Sequence, residues 1–248
     1  MIQAVDVHRS FGQQQVLTGV NLRVPRGEIL VIIGQSGSGK SVMLRLLIGL
    51  LRPNRGKVLI EDTDITQLSG RQLDQVRERF GMLFQGGALF DSMTVFENVA
   101  FPLREKTKLS QAEIAAKAQN MLDSVGLGEM GYKFPAELSG GMKKRTALAR
   151  ALVTNPSVIL FDEPTTGLDP VFSRAIHQLI KDTHSAFGYT AVIVSHEIPE
   201  VFDIATRVAV LHKGKIIEEG TPEMILKSSN PVIQQFIAGS LEGPIQPL

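Results

Sequence analysis

Short runs of apolar residues separated by turn signals characterise the beginning of the chain. Composition typical of β-strands is found at residues 2–7, 20–24 and 57–60. The sequence Pro25-Arg26-Gly27 lies between two of these runs and is typical of a turn. The pattern therefore predicts several short strands in the first part of the chain.

Three other runs are almost continuously apolar, at residues 28–33, 158–161 and 190–194. A parallel strand that is buried on both faces has this composition. Because helical stretches separate the three runs, we predict an α/β sheet that is covered by helices on both sides.

Between residues 65 and 155 the pattern becomes helical. Ser69 with Gln72 and Ser110 with Glu113 both have the form of a capping box. The second box opens an apolar stripe with helical spacing, which we interpret as core packing and which consists of Ile114, Ala118, Met121, Leu122 and Val125. Gly126 is expected to end this helix, and a further helix is predicted over residues 139–153.

These patterns suggest a division of the chain into three parts. We predict an α/β core with a β subdomain over residues 1–90 and 155–228. A helical subdomain is predicted over residues 91–154, and a C-terminal tail over residues 229–248. The tail is predicted to form a short helix to Ala238 and then an irregular extension, which either docks on a neighbouring subunit or is disordered.

Composition restricts the classes of function. The chain has 248 residues, of which 43% are hydrophobic, so it can bury a substantial core. Lys and Arg number 26 and Asp and Glu 25, which gives a formal charge of +1 and no general attraction for nucleic acid. There is no cysteine, so a disulfide framework and thiolate metal sites are excluded. No uncharged apolar run approaches the roughly 18 residues that span a bilayer, and the start lacks the pattern of a secretory signal.

A glycine-rich segment follows the apolar run at residues 28–33 and precedes an apolar helix. It matches the P-loop pattern G-x-x-x-x-G-K-[ST], in which backbone N–H groups surround a phosphate. We predict that its Lys40 reaches the β- and γ-phosphates and that the Ser41 hydroxyl binds Mg²⁺. The predicted nucleotide-binding residues here are Gly34, Gln35, Ser36, Gly37, Ser38, Gly39, Lys40, Ser41 and Val42. The alternative is a simple turn, and the motif alone is shared by kinases, G proteins and motors.

The apolar run at residues 158–161 ends in two acids. Asp162 stands where a carboxylate binds Mg²⁺ in P-loop proteins, and Glu163 is placed to accept a proton from the attacking water. In isolation the Asp-Glu-Pro sequence would be interpreted as a solvated turn. Behind this strand and downstream of a P-loop, the catalytic interpretation is favoured.

A second helix is predicted to begin at Leu138-Ser139-Gly140-Gly141-Met142, where small side chains leave the backbone accessible. Ser139 has the chemistry of an N-cap, and the two glycines leave backbone N–H groups able to bind an anion. One chain with one ATP seldom needs two such sites. A head-to-tail pair uses both, with this helix start capping the γ-phosphate in the other subunit, whereas the simpler alternative is an ordinary capped helix.

These motifs, in this order, resemble the ABC transporter ATPases from about Ala4 to Pro222. The resemblance implies an α/β fold: a P-loop NTPase (RecA-like) ABC ATPase core with an antiparallel β subdomain and an inserted helical subdomain. It also implies the cofactors ATP and Mg²⁺, and a homodimer with two ATP at the interface.

By the same resemblance, four further residues acquire roles. Gln85 matches the Q-loop residue that reaches Mg²⁺ or the attacking water, and Asp169 matches the D-loop residue that crosses the dimer interface. His196 matches the switch histidine on the γ-phosphate, and Phe11 the aromatic that stacks on adenine. The implied catalytic set is Glu163, His196, Gln85 and Lys40, and the implied metal ligands are Ser41, Gln85 and Asp162. Taken singly, each of the four has a simpler explanation as a surface, cap or core residue.

The subfamily is indicated by Met142, where glutamine is common, and by residues 87–99, which together are similar to the ATPases of MCE-type (Mla-like) phospholipid transporters. That resemblance implies an integral-membrane permease, an MCE-domain lipid-binding protein and a STAS-domain subunit as separate chains (MlaE-like, MlaD-like and MlaB-like). It places the protein in the cytoplasm, peripheral on the cytoplasmic face of the inner membrane, with no nucleic-acid partner. Residues 90–96 would meet a permease helix there, unless they only fill the helical lobe.

Alternative functions remain open at this point. A non-lipid ABC transporter has the same motifs. A non-transport ABC clamp on ribosomes or DNA would need a second cassette or a long coiled-coil insertion, and the sequence shows neither. A regulatory module that binds ATP without turnover is disfavoured because Glu163 and His196 are both present.

Overall fold

The computed structural model describes residues 1–246, which fall into two compact units. The first unit contains residues 1–77 and the residues from Val192 onward, and the second contains residues 78–191. The boundaries predicted from the sequence divide the chain elsewhere, and they stay a prediction.

The first unit begins with five of the strands. Up to residue 77 the elements are β1 (Ile2–Phe11), β2 (Gln14–Val24), β3 (Ile29–Ile33), α1 (Lys40–Leu47), β4 (Arg55–Ile60), β5 (Thr63–Asp64) and α2 (Gly70–Arg77). The antiparallel sheet has the order β2-β1-β4-β5, with Ile2 opposite Val24 on one side and Ile60 on the other. This sheet confirms the strands expected near the start of the chain. The helix predicted after Ser69 is α2, and capping by Ser69 stays a prediction.

The second unit contains two complete strands and four α-helices within its described residues. They are β6 (Phe80–Leu83), α3 (Val95–Lys106), α4 (Gln111–Ser124), α5 (Gly140–Leu152), β7 (Val158–Asp162) and α6 (Pro170–Phe187). Strand β7 is buried at all five positions, as the sequence predicted, and pairs in parallel with β6.

The sequence pattern between residues 65 and 155 is mainly helical and did not indicate the short strand β6. Phe80 lies opposite Val158 and Leu83 opposite Phe161, so β6 makes backbone hydrogen bonds along one edge of β7. A Cβ atom on Gly81 would lie 2.5 Å from the Ala151 carbonyl oxygen of α5. The glycine therefore belongs to a strand that lies close against a helix, and not to a helix.

Side chains cap the α-helices of the second unit, and the sequence indicated two of these caps, Ser110 for α4 and Ser139 for α5. The Ser110 hydroxyl accepts from the Glu113 N–H, and the Glu113 carboxylate accepts from the Ser110 N–H, which confirms the capping box at the start of α4. Helix α3 has an equivalent box between Thr94 and Glu97. The predicted apolar stripe on α4 is buried in full. Helix α4 ends at Ser124, and Gly126 follows shortly after it with φ 71°, as expected of a glycine that closes a helix.

Strand β8 (Thr190–Ser195) begins in the second unit and continues in the first, which then contains β9 (Arg207–His212), β10 (Lys215–Gly220), α7 (Pro222–Leu226) and α8 (Pro231–Ala238). Within the first unit the strand order is β10-β9-β3-β8. Strands β3 and β9 are parallel, β9 and β10 are antiparallel, and β3 is buried at all five positions. The two buried runs predicted at residues 28–33 and 190–194 are confirmed as strands.

The predicted tail helix is α8, and residues 239–246 after it form neither helix nor strand, as expected. The side chain of Gln235 organises this extension. Its Nε2 donates to the carbonyl oxygens of Ser240 (3.1 Å) and Ile245 (2.8 Å), and its Oε1 accepts from the Ile245 N–H (2.6 Å). Docking of the tail on a neighbouring subunit stays a prediction, and residues 247 and 248 lie outside the described residues.

Candidate functional site

The phosphate-loop segment connects β3 to α1 in the first unit, as its sequence context required. Gly39 occupies the N-cap position with φ 101°, and no side chain caps the helix. A Cβ atom on Gly34 would lie 2.3 Å from the Leu211 carbonyl oxygen, so only glycine fits there. The N-terminus of α1 is therefore formed by backbone, which is the arrangement that binds anions.

Two residues of this loop, Lys40 and Ser38, have buried polar side-chain atoms. The Lys40 ammonium is buried and donates to the carbonyl oxygens of Gly34 (2.8 Å) and Gln35 (3.0 Å). Among the residues that the structure describes, the buried Ser38 hydroxyl has no hydrogen-bond partner. A buried hydroxyl without a partner is costly, so the loop fits a ligand with oxygen atoms at this point.

The other predicted residues of the first unit lie at strand ends. Phe11 ends β1, and its ring is 43% exposed. One face of this ring is covered by the guanidinium group of Arg9, whose Cζ lies 4.6 Å from the ring centroid. His196 follows β8 and is exposed, while Ser195 before it is buried. Phe11 is therefore a ring on the surface and not a core aromatic, which leaves it accessible to a base.

In the second unit the predicted acids lie at the end of β7. Asp162 is the last residue of this strand and is buried. Glu163 has φ 49°, a left-handed conformation that is uncommon for a residue with a Cβ atom. Its Oε2 accepts from the Gln85 Nε2 (3.0 Å) and from the Thr166 Oγ1 (3.0 Å). The structure therefore brings Gln85 and Glu163 into direct contact, although 78 positions separate them in the sequence.

The glycine-rich segment predicted to be a second anion site begins α5. Ser139 is the N-cap, and its hydroxyl accepts from the Met142 N–H at 3.3 Å. Ser139 and Gly140 are exposed, whereas Gly141 is buried, and a Cβ atom there would lie 3.4 Å from the Phe172 ring. The exposed tip of α5 thus consists of a hydroxyl and a glycine backbone.

Asp169 has a local role that the sequence did not indicate. It is the N-cap of α6, where its Oδ1 accepts from the N–H groups of Val171 (3.0 Å) and Phe172 (3.1 Å). Val171 and Phe172 themselves are 76% and 53% exposed. The start of α6 therefore presents two apolar side chains next to an acid that is held by the helix.

Sequence reasoning missed two basic residues of α5 that contact the segment containing Gln85. The Lys144 ammonium donates to the Gln85 carbonyl oxygen and, at 3.4 Å, to that of Glu163. The Arg150 guanidinium donates to the carbonyl oxygens of Gly87 and Ala88, both at 2.7 Å, and burial lowers its pKa. A signal was present for Lys144, because it occupies a position on the apolar face of α5.

Asn98 of α3 fixes the segment that follows Gln85. The side chain is fully buried, accepts from the Phe90 N–H (2.8 Å) and donates to three carbonyl oxygens of that segment. The Phe90 ring packs 4.8 Å from that of Phe101. The second unit also has an open groove of about 560 Å³ whose lining includes Phe96 and Tyr132.

The described residues contain no group of three or more His, Asp and Glu side chains that could hold a metal ion unaided. In residues 1–246, no helix combines the length and the apolar character that crossing a bilayer requires.

Comparison with known proteins agrees with the motifs. The model of the ABC transporter family matches residues 17–166. The chain is 45% identical over 244 residues to the probable ribonucleotide transport ATP-binding protein mkl of Mycobacterium leprae, covering 98% of this chain and 70% of that protein. It is 40% identical over 245 residues to the intermembrane phospholipid transport system ATP-binding protein MlaF of Escherichia coli K12, covering 99% of this chain and 91% of MlaF.

The fold is also that of solved cassettes, which confirms the fold class expected from the sequence. The ATP-binding cassette MJ0796, solved as a dimer in a post-hydrolysis state with ADP and Pi, superposes with a TM-score of 0.81 and 33% sequence identity. The match covers 90% of this chain and 99% of that one. We conclude that this chain belongs to the ABC transporter family and is an ATPase of that family, because it has the phosphate loop, the acids Asp162 and Glu163, and these similarities.

Proposed function

We propose that this protein is the nucleotide-binding subunit of an ABC transporter that moves phospholipid between membranes. Two copies bind two ATP molecules, close, act on a separate permease and reopen after hydrolysis. The observation that carries this function is the Glu163 carboxylate, which Gln85 and Thr166 hold in place directly after the buried Asp162.

ATP binding is assigned to the phosphate loop and Phe11. The buried Ser38 hydroxyl and the backbone N–H groups at the start of α1 are donors of the kind that surround phosphate oxygens. The Lys40 ammonium, now on two carbonyl oxygens of the loop, would reach the β- and γ-phosphates. The exposed face of Phe11 would stack on adenine, since Arg9 covers the other face.

The donor set also fits Mg²⁺. This ion prefers oxygen ligands and usually binds through one or two protein groups together with substrate phosphates and water. The Ser41 hydroxyl of the first unit would supply such a ligand, and so would the Asp162 carboxylate and the Gln85 amide oxygen of the second. When bound, the ion would neutralise charge that develops on the phosphoryl oxygens.

Hydrolysis is assigned to Glu163 as general base. Its Oε2 accepts two hydrogen bonds, from Gln85 and Thr166, so the carboxylate has a defined orientation before substrate arrives. A positioned carboxylate can accept the proton of the attacking water as the oxygen approaches the γ-phosphorus. His196 would contact the γ-phosphate and stabilise the charge that forms there.

Pairing is supported by the exposed starts of α5 and α6. Ser139 and Gly140 present a hydroxyl and backbone at a helix N-terminus, which suits the γ-phosphate bound by a second copy. The exposed Val171 and Phe172, beside Asp169, provide apolar surface for the same contact. The similar cassette MJ0796 was solved as a dimer.

The cargo is assigned from the relatives. MlaF proteins are named for phospholipid transport, and the chain covers 91% of the Escherichia coli protein. The similar mkl protein is named for ribonucleotide transport, but the chain covers only 70% of it. We therefore favour phospholipid, with a permease, an MCE-domain protein and a STAS-domain subunit as partners at the cytoplasmic face of the inner membrane. The groove near Phe96 and Tyr132 would receive a permease helix.

Two measurements test this function. Glu163→Gln should retain ATP binding and lower turnover by roughly 10²–10⁴-fold, the usual contribution of a positioned base. Unchanged turnover would remove Glu163 from the mechanism. Purification of the chain with its permease from native membrane, followed by mass spectrometry of the bound molecules, should identify phospholipid. Recovery of nucleotides in place of lipid would instead support the cargo for which mkl is named.

A further inference from the structure

Lys144 is a charged side chain in an apolar position. It lies on α5 one turn after Gly140, and only 6% of its surface is exposed. Burying an ammonium group is costly unless it makes good hydrogen bonds. Its Nζ meets this requirement on two backbone carbonyl oxygens, those of Gln85 and Glu163. The lysine therefore joins α5 to the two residues that form the candidate hydrolytic pair.

These contacts form a closed circuit. Lys144 holds the backbones of Gln85 and Glu163, while the Gln85 side-chain amide donates to the Glu163 Oε2 at 3.0 Å. A movement of the ammonium would change the positions of both backbones and thus the geometry of the amide and the carboxylate. Thr166, which also donates to Oε2, lies outside this circuit.

Glu163 needs such support because its backbone is in the left-handed region, with φ 49°. A residue with a Cβ atom stays in that conformation only when its surroundings hold it there. The hydrogen bond from Lys144 to its carbonyl oxygen is one such constraint. The conformation in turn determines where the carboxylate points at the end of β7.

We infer that Lys144 is a positioning residue for hydrolysis: it connects the helix that begins at Ser139 to the geometry of Gln85 and Glu163. This inference rests on the proposed role of Glu163 as base. It adds that the tip of α5 and the base are mechanically connected through one side chain. A nucleotide that engages Ser139 and Gly140 would therefore act on the base through α5 and Lys144.

The first test is Lys144→Met in the 248-residue chain, which keeps the length of the side chain and removes the donor. We expect kcat for ATP hydrolysis to fall by about 10- to 100-fold, because misplacing a reacting group by about 1 Å has an effect of that size. KM for ATP should change by less than about threefold, since no phosphate-loop residue is touched. Lys144→Gln should recover part of kcat, because an amide can donate to the same carbonyls.

Arg145→Met is the matched control. Arg145 is on the same helix, is partly buried and also donates to a backbone carbonyl oxygen, but that oxygen belongs to Val125 (2.9 Å) and not to Gln85 or Glu163. We expect it to lower the melting temperature about as much as Lys144→Met while kcat stays within about threefold of the unmodified chain. Equal losses of kcat in the two variants would show that Lys144 has only a structural role.

A double variant separates positioning from general destabilisation. If Lys144 acts through Gln85, then Lys144→Met should reduce kcat much less in a Gln85→Ala background than in the unmodified chain. If the fold-loss of kcat in the double variant equalled the product of the losses in the two single variants, the inference would be wrong. It would also be wrong if the kcat of Lys144→Met equalled that of the unmodified chain while Glu163→Gln still lowered turnover as predicted above. If Glu163→Gln leaves turnover intact, the base assignment itself fails, whatever Lys144 does.

Discussion

Replacement of Asn98 gives a prediction whose magnitude follows from the structure. The side chain is fully buried: its Oδ1 accepts from the Phe90 N–H, and its two N–H protons are shared among the carbonyl oxygens of Phe90, Met93 and Thr94. With one acceptor bond and two donor bonds at a net value of about 0.5–1.5 kcal/mol each, Asn98→Ala should lower the free energy of unfolding by about 1.5–4.5 kcal/mol. For a chain of this size, that corresponds to a fall in melting temperature of about 3–18 °C.

Asn98→Asp sharpens the test because it keeps the shape of the side chain. The carboxylate can still accept from Phe90, but it places an oxygen against three carbonyl oxygens that now receive N–H donors. We expect it to be at least as destabilising as Asn98→Ala at neutral pH, and to recover partly in acid as the carboxyl becomes protonated.

Thermal unfolding followed by circular dichroism, without nucleotide, measures both variants. Gln178→Ala is the control, since that amide is exposed and makes a 2.7 Å hydrogen bond to Asp182 along one helix. It should change stability by less than about 0.5 kcal/mol. If the Asn98→Asp protein had the same melting temperature as the unmodified chain at neutral pH, the assignment of donors and acceptors around Asn98 would be refuted.

Three further predictions concern the site and one helix end. Thr166→Val should lower kcat by about tenfold at constant KM, since it removes the Thr166 Oγ1 donor to the Glu163 carboxylate, and unchanged kcat in steady-state assays would contradict this. Phe11→Ala should raise the Kd for ATP by about tenfold with little change in kcat, measured by calorimetry. Hydrogen bonds from Ser110 lower the pKa of Glu113 below its usual 4.5. The ionised Glu113 therefore stabilises the folded chain above pH 4.5, and this stabilisation is lost as the pH falls through the lowered pKa. Ser110→Ala should therefore weaken the decline of melting temperature in acid, and an identical decline would refute the cap.

Much of the fold could be predicted because its signals are local. Strands β3, β7 and β8 are continuous apolar runs, and the start of α4 is set by the reciprocal bonds of Ser110 and Glu113. Strand β6 could not be predicted in this way. It is four residues long and contains a glycine, so only its pairing with β7 and its closeness to α5 define it as a strand.

The candidate site likewise has one part that the sequence predicts and another part that depends on long-range contacts. The phosphate loop is one continuous segment, so its glycines, Lys40 and the following helix could be identified from the order of residues alone. The contact between Gln85 and Glu163 depends on how the chain returns after 78 positions, which no local pattern encodes. Lys144 was missed for a related reason, because its partners are backbone carbonyls that any sequence would supply.

The hydrogen bonds of Gln235 have a practical consequence for anyone who shortens or extends this protein. Truncation after Ala238 would remove Ser240 and Ile245 and leave an amide that is only 7% exposed without the partners it has now. Gly243 must also stay a glycine, since a Cβ atom there would lie 2.4 Å from the Gln235 Oε1. Affinity tags and fluorescent fusions should therefore be attached beyond Ile245, where they leave this amide satisfied.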